Sequence, residues 1–120
     1  MDFSIVARLR SFAYAFAGLS FVLRTQHNAW LHLLASLAVV AAGFALKVNA
    51  DDWRWLIAAV ALVWLAEAIN TAFEHLCDVV SPEFHPSVKR AKDIAAAAVL
   101  VSAIAAALIG ALTFAPYVLR

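Results

Sequence analysis

Apolar residues fall in long unbroken runs, and short polar stretches separate them. Ala29 to Leu46 is 18 residues without Asp, Glu, Lys or Arg. Trp55 to Ala66 adds 12, and a helical pattern continues through acidic positions to Val80. Ile94 to Leu119 is a further 26 uncharged residues. A helix needs about 20 apolar residues to cross a bilayer. The first and third runs qualify directly. The second qualifies if its acids face protein or a wet cleft. The breaks are Lys47-Val-Asn-Ala-Asp-Asp52 and Ser81-Pro-Glu-Phe-His-Pro86, and the prolines of the latter stop a helix. Ser87 is the expected N-cap of the last helix. The spans predicted are residues 29–47, 53–80 and 92–119. Residues 3–24 are also apolar, but Arg8 and Arg10 interrupt them behind an apolar start, unlike the basic n-region of a signal peptide. This stretch predicts an amphipathic helix on the membrane surface.

Composition agrees. The 120 residues are 66% hydrophobic and 14% charged, against about 45–50% and 25% in soluble domains. A chain this short exposes much of itself, so a soluble monomer should be more polar than average. The fold class expected is an all-α integral membrane protein of one domain, residues 1–120. A lone cysteine, Cys77, excludes a disulfide framework and a CxxC motif, and reads as a small buried hydrophobe. Gly18, Gly43 and Gly110 are too scattered for a phosphate-cradling loop, and a net charge of +1 argues against nucleic acid. Six basic residues (Arg8, Arg10, Arg24, Lys89, Arg90, Lys92) stand on one side of the predicted topology and three (Lys47, Arg54, Arg120) on the other. The positive-inside rule then puts the N-terminus and the second loop in the cytoplasm. Trp53, Trp55 and Tyr117 fall near the outer interface.

The second span carries the chemistry. Glu67, Asn70, Glu74 and Asp78 lie within about 80° of one another around a helix. That is one polar stripe on an apolar helix, which lipid cannot solvate. With Trp53 at the outer interface, Glu67 lies about 21 Å along the helix and Glu74 about 31 Å. The hydrocarbon is about 30 Å thick, so the acids form a ladder from lipid depth to water. Read blandly, such a stripe knits helices together, which suits Asn70 and Thr71. It suits Glu67 poorly, because a carboxylate in the bilayer is expensive. Read functionally, a carboxylate at lipid depth is a general base for a lipid hydroxyl. One at the interface holds Mg²⁺. The Lys89, Arg90, Lys92 cluster at a helix start suits phosphate. Together these describe phosphoryl transfer from a nucleotide in water to a hydroxyl in the membrane. An ion channel or proton path also places acids on one stripe. His32, four residues after Asn28, reads as a capping or interhelical hydrogen-bond partner rather than a ligand. His75 reads as interfacial.

Several of these residues resemble a known family. Glu67-x-x-Asn70-Thr71-Ala-x-Glu74, Asp78, Ser81-Pro-Glu83-x-His85-Pro86 and Ala91-Lys92-Asp93-x-Ala-Ala-x-Ala-Val99-Leu100 are similar to the small prokaryotic diacylglycerol kinases. Gly18 and Asn28-x-x-x-His32 resemble the same family's first half. The resemblance implies a homotrimer with three spanning helices and one surface helix per subunit, with ATP as co-substrate and Mg²⁺ as metal. It implies Glu67 as catalytic base, with Asn70 and Asp78 as further active-site positions and Lys92 offsetting phosphate charge. Glu74 would bind metal beside the nucleotide, and Tyr14, Glu83, His85, Lys92 and Asp93 would contact the nucleotide. Where the family commonly places a second metal-binding glutamate, this chain has Gln26, whose amide oxygen ligates without charge. The substrate implied is diacylglycerol, and undecaprenol in a branch that shares the same motifs.

Overall fold

A computed structural model describes residues 2–120. Four helices follow one another: α1 (Ile5–Thr25), α2 (His27–Ala45), α3 (Ala50–Val80) and α4 (Pro86–Val118). Their ends follow from local chemistry. Ser4 Oγ accepts from the Ala7 N–H at 3.3 Å and starts α1. Asn49 Oδ1 accepts from the Asp52 N–H at 2.9 Å and starts α3, with Asp51 and Asp52 in the first turn facing the positive end of the helix dipole. Helix α2 closes in a Schellman motif: Val48 N–H bonds to Gly43 O and Lys47 N–H to Phe44 O. Lys47 takes the left-handed conformation that motif requires, with φ 53°.

Helix α4 begins at Pro86, six residues before the expected 92, and its cap is His85 instead of Ser87. His85 Nδ1 accepts from the Ser87 N–H at 3.1 Å. Pro86 suits the first helical position, where its missing N–H leaves nothing unpaired and its φ is preset.

Helix α3 is the centre of the molecule. It runs antiparallel to α4, as contacts at both ends show. Lys92 pairs with Asp78 at 2.9 Å at one end. At the other, the Tyr117 hydroxyl donates to Asp52 and accepts from the Asn49 N–H. It also runs antiparallel to α2, where Trp64 Nε1 donates to Ser36 Oγ at 2.9 Å. Nearer the other end of that pair, Trp53 packs against Gly43 and Phe44, with the two rings 4.9 Å apart. Trp53, expected at the outer interface, is thus half-buried between helices, while Trp55 at the same end stays exposed.

All four helices are long and apolar enough to cross a membrane. By that criterion α1, expected on the surface, does not differ from the others. In α1 only Val22 is buried, and its second half leans on α3, where Phe21 meets the His75 ring edge-on at 5.0 Å. Large apolar side chains such as Phe12, Phe16, Trp30, Phe44 and Leu112 stand exposed around the bundle. The accessible area is 8925 Å² for 12.9 kDa, where a soluble monomer of that mass would show about 6,300 Å². This is the surface of a multi-pass membrane protein.

Candidate active site

The polar stripe faces inward over its first half and outward over its second. Glu67 is 1% exposed, Asn70 8% and Thr71 2%, all on an otherwise apolar helix. Glu74, one turn further, is half-buried, and Asp78 is exposed. The gradient from dry to wet runs along α3 as the spacing implied.

Glu67 touches two elements. Its Oε1 accepts from the Thr71 hydroxyl at 3.5 Å on its own helix. Its Oε2 faces His32 Nε2 on α2 at 3.4 Å. That pair is close but not aligned as a hydrogen bond, so both atoms are buried without a bonded partner. Asn70 Nδ2 donates to Glu74 Oε1 at 3.4 Å, and Asn70 Oδ1 is likewise buried and unpartnered. Polar groups this buried are normally satisfied. The unaligned His32–Glu67 pair and the open Asn70 Oδ1 are exceptions to that rule, close together on one stretch of the bundle.

His32 is held by its surroundings. The Ser36 hydroxyl accepts from Trp64 and donates to His32 O at 2.6 Å, fixing that turn of α2. The His32 and Trp64 rings meet edge-on at 6.3 Å. The sequence pointed to His32 as an interhelical partner but not to Ser36–Trp64. The signal available was His32-x-x-x-Ser36, two polar residues on one face of an apolar helix.

At the wet end the charged residues pair locally. Lys92 Nζ lies 2.9 Å from Asp78 Oδ1, and Lys89 Nζ lies 2.7 Å from Asp93 Oδ2. Glu83 is exposed, and its carbonyl accepts from the Ser81 hydroxyl at 3.0 Å. His85 is exposed and committed through Nδ1 to the α4 cap. Gln26 caps α2 and donates from Nε2 to Thr25 Oγ1 at 3.3 Å. Tyr14 points outward from α1, 73% exposed. The structure thus gathers Glu67, Asn70, Thr71, Glu74 and His32 around one stretch of α3. It sets Asp78, Lys92, Lys89 and Asp93 at the end of the α3–α4 hairpin. Tyr14 lies apart from both. Cys77 is buried and free, as a small core residue.

Among the described residues no three His, Cys, Asp or Glu side chains cluster as a metal cage. The oxygen donors present are the Glu74 carboxylate and the unpartnered Asn70 Oδ1. Mg²⁺ is commonly held by one or two carboxylates together with substrate phosphates, and this set fits that mode.

A family model described as prokaryotic diacylglycerol kinase matches residues 13–114. A relative from Bacillus subtilis named undecaprenol kinase is 36% identical over 107 residues, covering 89% of this chain and 87% of that protein. A diacylglycerol kinase from Synechocystis is 41% identical over 103 residues, 85% of this chain but only 59% of that longer protein. A diacylglycerol kinase from Escherichia coli K12 is 43% identical over 70 residues. The stripe, its basic partner loop and most of the chain lie inside the matched region, and the chain belongs to the prokaryotic diacylglycerol kinase family, as a lipid kinase.

Proposed function

We propose that this chain transfers the γ-phosphoryl group of ATP to the hydroxyl of a membrane lipid, with diacylglycerol as acceptor and phosphatidic acid as product. One observation carries the reading: a glutamate 1% exposed in the middle of an apolar helix, with one carboxylate oxygen lacking a bonded partner. Glu67 takes the proton of the acceptor hydroxyl as its oxygen attacks the γ-phosphorus and ADP departs. Asn70, one turn on, orients the reacting groups and links them to Glu74. Mg²⁺ held by Glu74, with help from Gln26, would neutralise charge on the ATP phosphates. Lys92 shifts from Asp78 to the phosphates, and Asp78 remains beside it. Glu83, His85, Asp93 and Tyr14 position the nucleotide. With no glycine-rich loop in the sequence, side-chain charge and metal supply the electrostatic stabilisation.

The large apolar surface supports assembly as a homotrimer in the cytoplasmic membrane, with α1 on its surface and the N-terminus and site facing the cytoplasm. Three spanning helices do not enclose a site alone, so the site lies between subunits. The second reading is undecaprenol as acceptor, favoured by the Bacillus relative that matches over nearly the whole of both chains. The family match leaves an ion or proton path without support. The test is purified protein in mixed micelles with labelled ATP and each lipid in turn. Label in phosphatidic acid is the expected result. Label only in undecaprenyl phosphate selects the second reading, and label in neither lipid overturns both.

A further inference from the structure

Glu67 is a flexible side chain asked to hold one position. Its three torsions must be fixed for proton transfer, and loss of that order is paid in rate: about 1 Å of misplacement can lower turnover roughly 100-fold. Its own helix supplies a single long contact, Thr71 at 3.5 Å. The second oxygen faces another helix. His32 Nε2 lies 3.4 Å from Oε2, with the two side chains 15% and 2% exposed.

We propose that His32 is the positioning residue for Glu67: its ring N–H donates to Oε2 and, with Thr71 on Oε1, holds the carboxylate from two helices. This rests on the reading of Glu67 as the base. Three observations support it. His32 Nε2 and Glu67 Oε2 are both buried without a hydrogen-bond partner, and they face each other at 3.4 Å. The ring is held in place by edge-on contact with Trp64, three residues before Glu67. The turn bearing His32 is tied to α3 by the 2.9 Å Trp64–Ser36 bond, and Ser36 is held to that turn by its 2.6 Å bond to the His32 carbonyl, so α2 cannot slide past α3 without breaking the first bond of this chain. A residue serving only to join α2 to α3 would duplicate that chain. His32 does something the chain does not, which is to present a donor to a carboxylate.

The test compares three substitutions in the full-length protein in mixed micelles. His32→Gln keeps an amide donor near the position of Nε2. His32→Asn keeps the polarity but is too short to reach Glu67. His32→Leu removes the donor. The expected result is a kcat lowered about 10- to 100-fold in the Asn and Leu variants, with KM for ATP within about twofold and most of kcat restored by Gln. Thermal unfolding is measured alongside, and should not follow the order of kcat. Equal kcat in the Gln and Asn variants, or a loss that tracks the unfolding temperature, overturns the proposal. If His32→Leu fails to fold, the Gln–Asn comparison still decides. Glu67→Gln is assayed in parallel. If it retains turnover, the reading of Glu67 as base fails. If it is inactive while the His32 series is flat, only the role of His32 falls.

Discussion

Glu67→Gln separates chemistry from architecture, because it removes a base while nearly preserving the shape of the side chain. The amide has nearly the shape of the carboxylate and still accepts from Thr71 through its carbonyl oxygen. What it loses is basicity. General bases contribute about 10²- to 10⁴-fold to rate, or ~2.7–5.4 kcal/mol at ~1.36 kcal/mol per tenfold. Stability should barely move. Glu67 is 1% exposed and its contacts are long, at 3.4 and 3.5 Å, so an amide of the same volume and shape removes little packing or bonding. The assay is initial-rate phosphorylation in mixed micelles, with thermal unfolding of the same preparation. The expected result is a kcat down by at least about 100-fold and an unfolding temperature close to that of the parent. Turnover within about tenfold of the parent is below the range of a general base, and removes Glu67 from that role. A variant that loses activity only because it unfolds earlier makes the carboxylate structural.

Other substitutions test neighbouring parts. Glu74→Gln should raise the Mg²⁺ concentration for half-maximal rate while leaving the lipid dependence near that of the parent; an unchanged metal titration removes Glu74 as a ligand. Gly43→Ala places a methyl where the Trp53 ring already packs, and overpacking of this kind costs about 1–3 kcal/mol, read as a lower unfolding temperature. Turnover per folded molecule should hold, since Gly43 lies 11 residues from His32 on α2, about 16 Å along the helix. Lys47→Gly should stabilise by up to about 1 kcal/mol by removing a side chain from a left-handed position. A destabilised glycine variant would mean that the lysine stem makes a packing contribution larger than its strain.

What the sequence made legible was periodic or local. The runs around Ala29–Leu46 and Ile94–Leu119 became α2 and α4 because lipid-length helices need only length and apolarity. The stripe from Glu67 to Asp78 was readable because positions three and four apart share a face. The misses have equally specific causes. His85 capped α4 through a ring nitrogen, although Ser, Thr, Asp and Asn are the usual caps. Lys47 took a left-handed position normally held by Gly or Asn. Ser36–Trp64 and His32–Glu67 join helices across 28 and 35 positions of sequence, and no local pattern encodes which faces of two apolar helices meet. The status of α1 also stays outside sequence periodicity, since its length and hydropathy match those of the spans.

The remaining distinction is between a polar stripe that joins helices and one that does chemistry. Helix-joining polar groups are saturated, because an unbonded buried donor or acceptor costs about 1–3 kcal/mol. That pattern occurs in this chain: Trp64 on α3 donates to Ser36 on α2, and Tyr117 on α4 donates to Asp52 on α3. Against this, Asn70 Oδ1 is buried without a bonded partner, and Glu67 Oε2 only faces His32 Nε2 at 3.4 Å, without an aligned hydrogen bond. The chain therefore forms satisfied interhelical bonds, one of them within a turn of His32 and Glu67. A stripe that served only cohesion would hold as well with apolar residues in place of its unpaired atoms, since replacing buried polar groups by well-packed apolar ones is often neutral or stabilising. An open acceptor on Asn70 and a loosely held carboxylate on Glu67, one turn apart on α3, are the groups that the proposed capture of a lipid hydroxyl and a metal–nucleotide would use.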